Sequence, residues 1–202
     1  MPDSIVIRSM LFADVAGFSQ LPDAACPRFV SEFLAGADEI FSDPRHPALA
    51  RNTWGDAIFA VFATPREAAH AALALQRFVK SEEWSVRLGV AKGRAEIRLR
   101  IGLHTGPVHE GRDPITQSAC FVGRHTNLAA RIEPIAEEGH VYVSGEFAAM
   151  ATVAGADELQ FDYVGQRPLP KNAGVIPVYR LAAEHRPPVR SDEEGDGRGD
   201  RI

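Results

Sequence analysis

The chain reads as an α/β protein, an α+β sandwich in which helices cover a sheet containing antiparallel strands. Three observations predict it. Segments with strand-like and helix-like apolar spacing follow one another as βαββαβ and then βαββ. The composition, 45% apolar and 24% charged, is that of a globular domain. At 202 residues one domain can bury a core without disulfide staples.

In order, Ile5 to Asp14 is an apolar run that ends on a carboxylate, as a largely buried strand would. Gly17 permits a turn, after which Phe29, Phe33, Ala37, Ile40 and Phe41 fall at helical spacing within 22–41. Pro44 and Pro47 stop that helix. Residues 51–62 form two strands around a Trp54-Gly55-Asp56 tip. Thr64-Pro65-Arg66-Glu67 is a capping box with proline at the first helical position, and the helix it starts runs to about Lys80. Residues 81–93 show no clear period and read as a surface insertion. Ile97, Leu99, Ile101 and Leu103 then alternate along a strand, closed by a turn at Thr105-Gly106-Pro107. Residues 122–132 are partly helical, 140–144 a strand, 145–150 a short helix, and 159–164 with 175–181 a last strand pair. Beyond Glu184 the chain turns acidic and glycine-rich and cannot bury enough to order itself. The expectation is an ordered domain over 1–183 and a disordered tail over 184–202.

Lysine plus arginine number 22 against 27 aspartate plus glutamate, a net charge of −5. That argues against gripping long nucleic acid, but not against a nucleotide, because a bound metal ion reverses the local sign. No apolar run is long enough to span a bilayer. The start, Met1-Pro2-Asp3-Ser4-Ile5, lacks the basic region of a signal peptide, so a cytoplasmic address is expected. Cys26 and Cys120 are too few for a disulfide framework or a cysteine zinc site. Gly106 to Asp113 has the glycine spacing of a phosphate-binding loop but lacks its Lys-Ser/Thr.

Asp14 and Asp56 each sit at the end of an apolar strand beside glycine, where packing needs no charge. Either alone is what a turn-capping aspartate looks like. On neighbouring strands, the two carboxylates would converge and suit Mg²⁺ or Mn²⁺. In Asn127-Leu128-Ala129-Ala130-Arg131 the amide and the guanidinium share a helical face. Arginine matches phosphate oxygens, although a solvated helix salt-bridged to Glu133 or Glu137 would look the same.

Four blocks are collinear: Phe12-Ala13-Asp14-Val15-Ala16-Gly17-Phe18-Ser19, Thr53-Trp54-Gly55-Asp56, Arg100-Ile101-Gly102-Leu103-His104-Thr105-Gly106-Pro107 and Asn127-Leu128-Ala129-Ala130-Arg131. Together they resemble the signature blocks of class III nucleotidyl cyclase catalytic domains, over about residues 5–181. The resemblance implies a ferredoxin-like βαββαβ palm with a C-terminal βαββ extension. It implies head-to-tail homodimers with active sites shared between subunits and a nucleoside triphosphate substrate. Asp14 and Asp56, with the Val15 backbone, would hold two divalent metal ions. Amides of Gly17, Phe18 and Ser19 would cradle the phosphates. From the partner subunit Asn127 would orient the ribose, Arg131 would stabilise the attacked α-phosphate, and Lys171 would meet the outer phosphates. Leu169-Pro170-Lys171 is one residue out of the family's pattern.

The base-reading positions depart from the family's adenine and guanine pairs, for they fall on Asn52 and Cys120. One amide offers a donor and an acceptor, matching O4 and N3–H of uracil or, flipped, N4–H₂ and N3 of cytosine. Asparagine is equally an ordinary turn residue. With no sensor domain attached, the chain resembles the stand-alone pyrimidine cyclases of bacterial anti-phage (Pycsar) defence, whose cyclic nucleotide is read by a separate effector. Uridylate cyclisation to cyclic UMP is the expectation. An adenylate or guanylate cyclase, or an inactive cyclase-like regulatory module, are the alternatives.

Overall fold

The computed structural model describes residues 4–92 and 95–183, so the expected tail over 184–202 lies outside the described residues. At the centre is β1 (Ser4–Ala16), whose Leu11, Ala13 and Val15 are buried on one face. It pairs antiparallel with β3 (Ala57–Phe62) on one side and with β4 (Arg98–Arg112) on the other, and β3 pairs with the edge strand β2 (Ala50–Trp54). The order β2-β3-β1-β4 is the antiparallel palm that the family resemblance implies. The sheet continues through β6 (Val141–Ser144), parallel to β4, then β8 (Val175–Ala183) and β7 (Leu159–Pro168). That second block is the expected extension.

One face is covered by the helical segment α1 (Cys26–Arg28), a π-helical stretch Phe29–Leu34 and α2 (Ala35–Phe41), and by α3 (Pro65–Ser81). Both bonds of the Thr64–Glu67 capping box form. Leu11, Ile58, Phe62, Leu75, Leu99, Ile101 and Leu103 make the main core between them. On the opposite face lies α5 (Arg124–Ile132), over a smaller cluster of Met10, Val61, Val108, Phe121 and Ala129. A last helix, α6 (Gly145–Val153), starts at Ser144, whose side chain accepts from the Phe147 amide.

Two expectations are corrected. Over 81–92, the described part of the expected surface insertion at 81–93, the chain is not an insertion: α4 (Trp84–Arg87) lies there, with Trp84 and Leu88 buried. Trp84 stands edge-on to Phe33 and Phe78, and its indole N–H donates to the Val79 carbonyl at 3.0 Å. No turn occurs at 105–107, because β4 runs straight through to Arg112. Its far side is paired with β6 only up to Leu103 and with β5 (Ala119–Val122) only from His109. Pro107 falls in that gap, where its missing N–H costs no ladder bond. β5 itself, which carries Cys120, precedes the helix that the sequence places from residue 122.

Candidate active site

Alternation along β1 puts Met10, Phe12 and Asp14 on the face opposite the main core, leaving the Asp14 side chain a quarter exposed (25%). Gly55, at φ +65°, closes the β2–β3 turn and brings Asp56 alongside. The Asp56 carboxyl lies beside the Val15 amide and close to the Asp14 carboxylate. Burial, and then the Asp14 charge, push the Asp56 pKa above the usual carboxylate range. The convergence read from sequence is therefore present.

Two residues that the pattern does not single out complete the cluster. Arg100 faces Asp14 across the β1–β4 ladder and donates from Nη2 to Asp14 Oδ2 at 2.5 Å. Its Nε lies 3.1 Å from Glu133 Oε1 but out of line, so among the described residues both of these buried atoms lack a hydrogen-bond partner. Burial, then the Asp14 charge, push Glu133 up to about 7 against the pull of Arg100. Arg100 stands inside a quoted block, yet only strand register reveals its partner.

Asp14 and Glu133 thus flank the Arg100 guanidinium, with Asp56 beside Asp14. The excess negative charge, the upward push on Asp56 and the unpartnered Glu133 oxygen suit a divalent cation with oxygen ligands. Among the described residues no three His, Cys, Asp or Glu side chains close on one point. The fit is therefore Asp14 and Asp56, with the Val15 backbone beside them, and substrate or water oxygens making up the rest.

Gly17, at φ +77°, starts a short 3₁₀ turn, Phe18–Gln20. Within that turn Gln20 and Leu21 donate back to Gly17 and Phe18, while the Phe18 and Ser19 amides lead it with no acceptor inside the turn. The turn borders a cavity of about 310 Å³ also lined by Val15, Ile97 and Arg98. The Phe18 ring packs inward on Phe29 and Ser19 is exposed.

The helix α5 is held against β4 by missing side chains. A Cβ on Gly102 would stand 2.4 Å from the Glu133 nitrogen, and one on Gly106 would stand 2.2 Å from the His125 ring. Between them, buried His104 bridges Ser144 Oγ (2.7 Å) and His125 Nδ1 (2.8 Å), its ring stacked on His125. Burial holds the His104 pKa down at about 4. With Ala129 and Ile132 turned to the sheet, Asn127 and Arg131 lie on the outer side. Among the described residues neither makes a side-chain hydrogen bond or an ion pair, and Glu133 pairs with Arg100 instead of Arg131.

Lys171 sits at the exposed β7–β8 turn with φ +57°, beside Asn172 at φ +56°. From β1 to β8 is three strand spacings, about 14 Å. Within one chain Lys171 is therefore not brought to the carboxylates, nor are Asn127, Arg131 and Cys120 paired with them. Asn52 is exposed, opposite Phe59, which stacks at 4.7 Å on Phe12. It thus shares the carboxylate face. Its Oδ1 accepts from the Thr53 amide at 2.8 Å, and among the described residues the NH₂ group has no acceptor. Trp54 does not pack on its hairpin, being 88% exposed.

An antiparallel palm in which a carboxylate on β1 meets one in the β2–β3 turn, extended by a second strand block, defines a catalytic domain of the nucleotide-cyclase class. The chain belongs to the adenylate and guanylate cyclase catalytic domain family, whose model matches residues 4–181. It is 29% identical to the receptor-type guanylate cyclase gcy-8 of Caenorhabditis elegans over 98% of this chain and 17% of that protein. The chain thus spans less than a fifth of that relative's length. Two solved structures share the fold. One is the adenylyl cyclase CyaB from P. aeruginosa, with TM-score 0.76 and 19% identity over 92% of this chain and 98% of that one. The other is the guanylate cyclase domain of RhGC from Catenaria anguillulae in complex with GTP, with TM-score 0.73 and 20% identity over 89% and 98%.

Proposed function

We propose that the chain is a nucleotidyl cyclase that turns a nucleoside triphosphate into its 3′,5′-cyclic monophosphate and pyrophosphate. The observation that carries this is the meeting of Asp14 and Asp56 beside Arg100, in a chain of this family. The O3′–Pα bond forms as the bond from Pα to the pyrophosphate breaks, and the hydroxyl proton passes to water. Divalent cations held at Asp14 and Asp56, Mg²⁺ or Mn²⁺, would acidify the 3′-hydroxyl and neutralise phosphate charge. The Gly17, Phe18 and Ser19 amides would take phosphate oxygens. Asn127 and Arg131, without side-chain partners among the described residues, would act on the ribose and α-phosphate bound to a second copy, with Lys171 on the outer phosphates. Such sharing requires a head-to-tail homodimer.

For the base, Asn52 supports a pyrimidine, with UTP ahead of CTP. Its amide presents one donor edge on the carboxylate face, and its Oδ1 keeps a second lone pair beside the Thr53 bond. Cys120 of the second copy would border the same pocket. Cyclic UMP from such an enzyme would be a second messenger for a separate effector in anti-phage defence. Among the described residues no helix is long and apolar enough to cross a membrane.

The test is incubation of the pure protein with ATP, GTP, CTP or UTP plus Mn²⁺, with products identified by mass. Cyclic UMP as the main product is expected, and Asn52→Ala should lose preference among bases more than turnover. If ATP or GTP is the best substrate, the pyrimidine assignment fails. If no cyclic product forms from any of the four, the cyclase assignment fails with it.

A further inference from the structure

We infer that Glu133 is a positioning residue that governs how readily the Asp14–Asp56 pair takes up a divalent cation, by offering the Arg100 guanidinium a second anchor. The inference rests on the metal role proposed above for that pair. Arg100 occupies Asp14 Oδ2 through Nη2, so it competes with any cation for that oxygen. Its Nε edge already lies 3.1 Å from Glu133 Oε1, but misaligned, and neither atom is otherwise hydrogen-bonded among the described residues. The guanidinium therefore sits between two carboxylates and satisfies only one. A small tilt away from Asp14 would align the second contact. Without Glu133, the same tilt would leave a two-thirds buried guanidinium stranded, which is costly.

Glu133 is fixed well enough to serve. It opens the 3₁₀ turn Glu133–Ile135 directly after α5, and its backbone rests on the bare Cα of Gly102. Its side chain is 13% exposed. A purely architectural link between the turn and β4 would need no orphaned donor and acceptor. The misaligned pair is what a two-position guanidinium leaves in its first position.

The experiment is a double-mutant cycle on Mn²⁺ affinity in the full chain, read by electron paramagnetic resonance of free Mn²⁺, with Asp14→Ala as the blank. Arg100→Met should tighten binding and Glu133→Gln should weaken it, each by about tenfold. In the Arg100→Met background Glu133→Gln should change affinity by less than about threefold, since no guanidinium is left to hold. Glu133→Asp should fall between wild type and Glu133→Gln, and it carries the cycle if the glutamine variant does not fold. Equal shifts in both backgrounds would mean Glu133 acts only through its charge, and no shift in either would mean it does not act. Both outcomes overturn the inference while leaving the metal role standing. If the wild type binds no Mn²⁺ that Asp14→Ala removes, the metal role itself fails and the inference with it.

Discussion

Replacing Gly102 with alanine adds one methyl group where the fold has no room. The nearest atoms would be the Glu133 nitrogen at 2.4 Å, the Ile132 carbonyl carbon at 2.9 Å and the Glu133 Cα at 3.0 Å. All are backbone, so no rotamer change relieves the overlap. Ordinary contact begins at 3.4 Å, so the end of α5 must retreat by about 1 Å from β4. Overpacking of this kind costs about 1–3 kcal/mol, or a fall in Tm of roughly 2–12 °C for a chain this size. The same displacement carries Arg131 and Asn127 with it, and a shift of that size costs on the order of 10²-fold in rate. The assay is thermal unfolding together with turnover on the best of the four triphosphates. Gly155→Ala is the control: at φ +69° with nothing within 4 Å of the new Cβ, it carries backbone strain alone and should leave turnover unchanged. A Gly102→Ala protein with wild-type Tm and turnover would refute the idea that bare Cα atoms on β4 set the helix position.

Asp14→Ala and Asp56→Ala should each leave a folded chain by circular dichroism and cut cyclic product by on the order of 10³-fold or more, as loss of a metal ligand removes several kcal/mol. Near wild-type turnover in folded Asp56→Ala would end the metal assignment. Mixing inactive Asp14→Ala with inactive Arg131→Ala should restore about a quarter of the activity, since half the dimers are mixed and each keeps one intact site. Demonstrated subunit exchange with no recovery would exclude shared sites. His104, held at about 4 against about 6.5 in the unfolded chain, leaves the unfolded state binding more protons between those values. Stability should therefore fall as pH drops from about 6.5 to about 4, by up to about 3 kcal/mol. Urea unfolding at neutral and acid pH should show a flatter acid limb for His104→Asn, and parallel limbs would count against the buried imidazole as its source.

What could be read from the chain was what local chemistry encodes. Thr64 and Glu67 announce their helix because a capping box is complete within four residues. Asp14 and Asp56 stand out because a charge at the end of an apolar strand has no packing reason. Gly106-Pro107 misleads because its dipeptide chemistry is that of a turn. Only the sheet shows that Pro107 lies where β4 has no second neighbour. Trp84 and Leu88 lie in a segment too short to show a helical period, and the Trp84 ring is buried against Phe78 and against Phe33, about fifty residues away in sequence. Arg100 and Glu133 were hidden for the same reason. Their pairing comes from strand register and from the close approach that Gly102 allows, neither of which a linear pattern contains.

Arg100, Gly102, His104 and Gly106 occupy alternate positions on one unbroken strand, and so all present the same side. The carboxylate partner, the two helix seats and the imidazole strut are thus spaced by the pleat itself, as marks on a ruler. Chemistry at any one mark can be varied by substitution, but the interval between marks cannot. Inserting or deleting a single residue between Arg100 and Gly106 would turn everything beyond it to the opposite face. Either the guanidinium would leave Asp14 or the helix would lose its seat. In this stretch, length is a stricter requirement than composition.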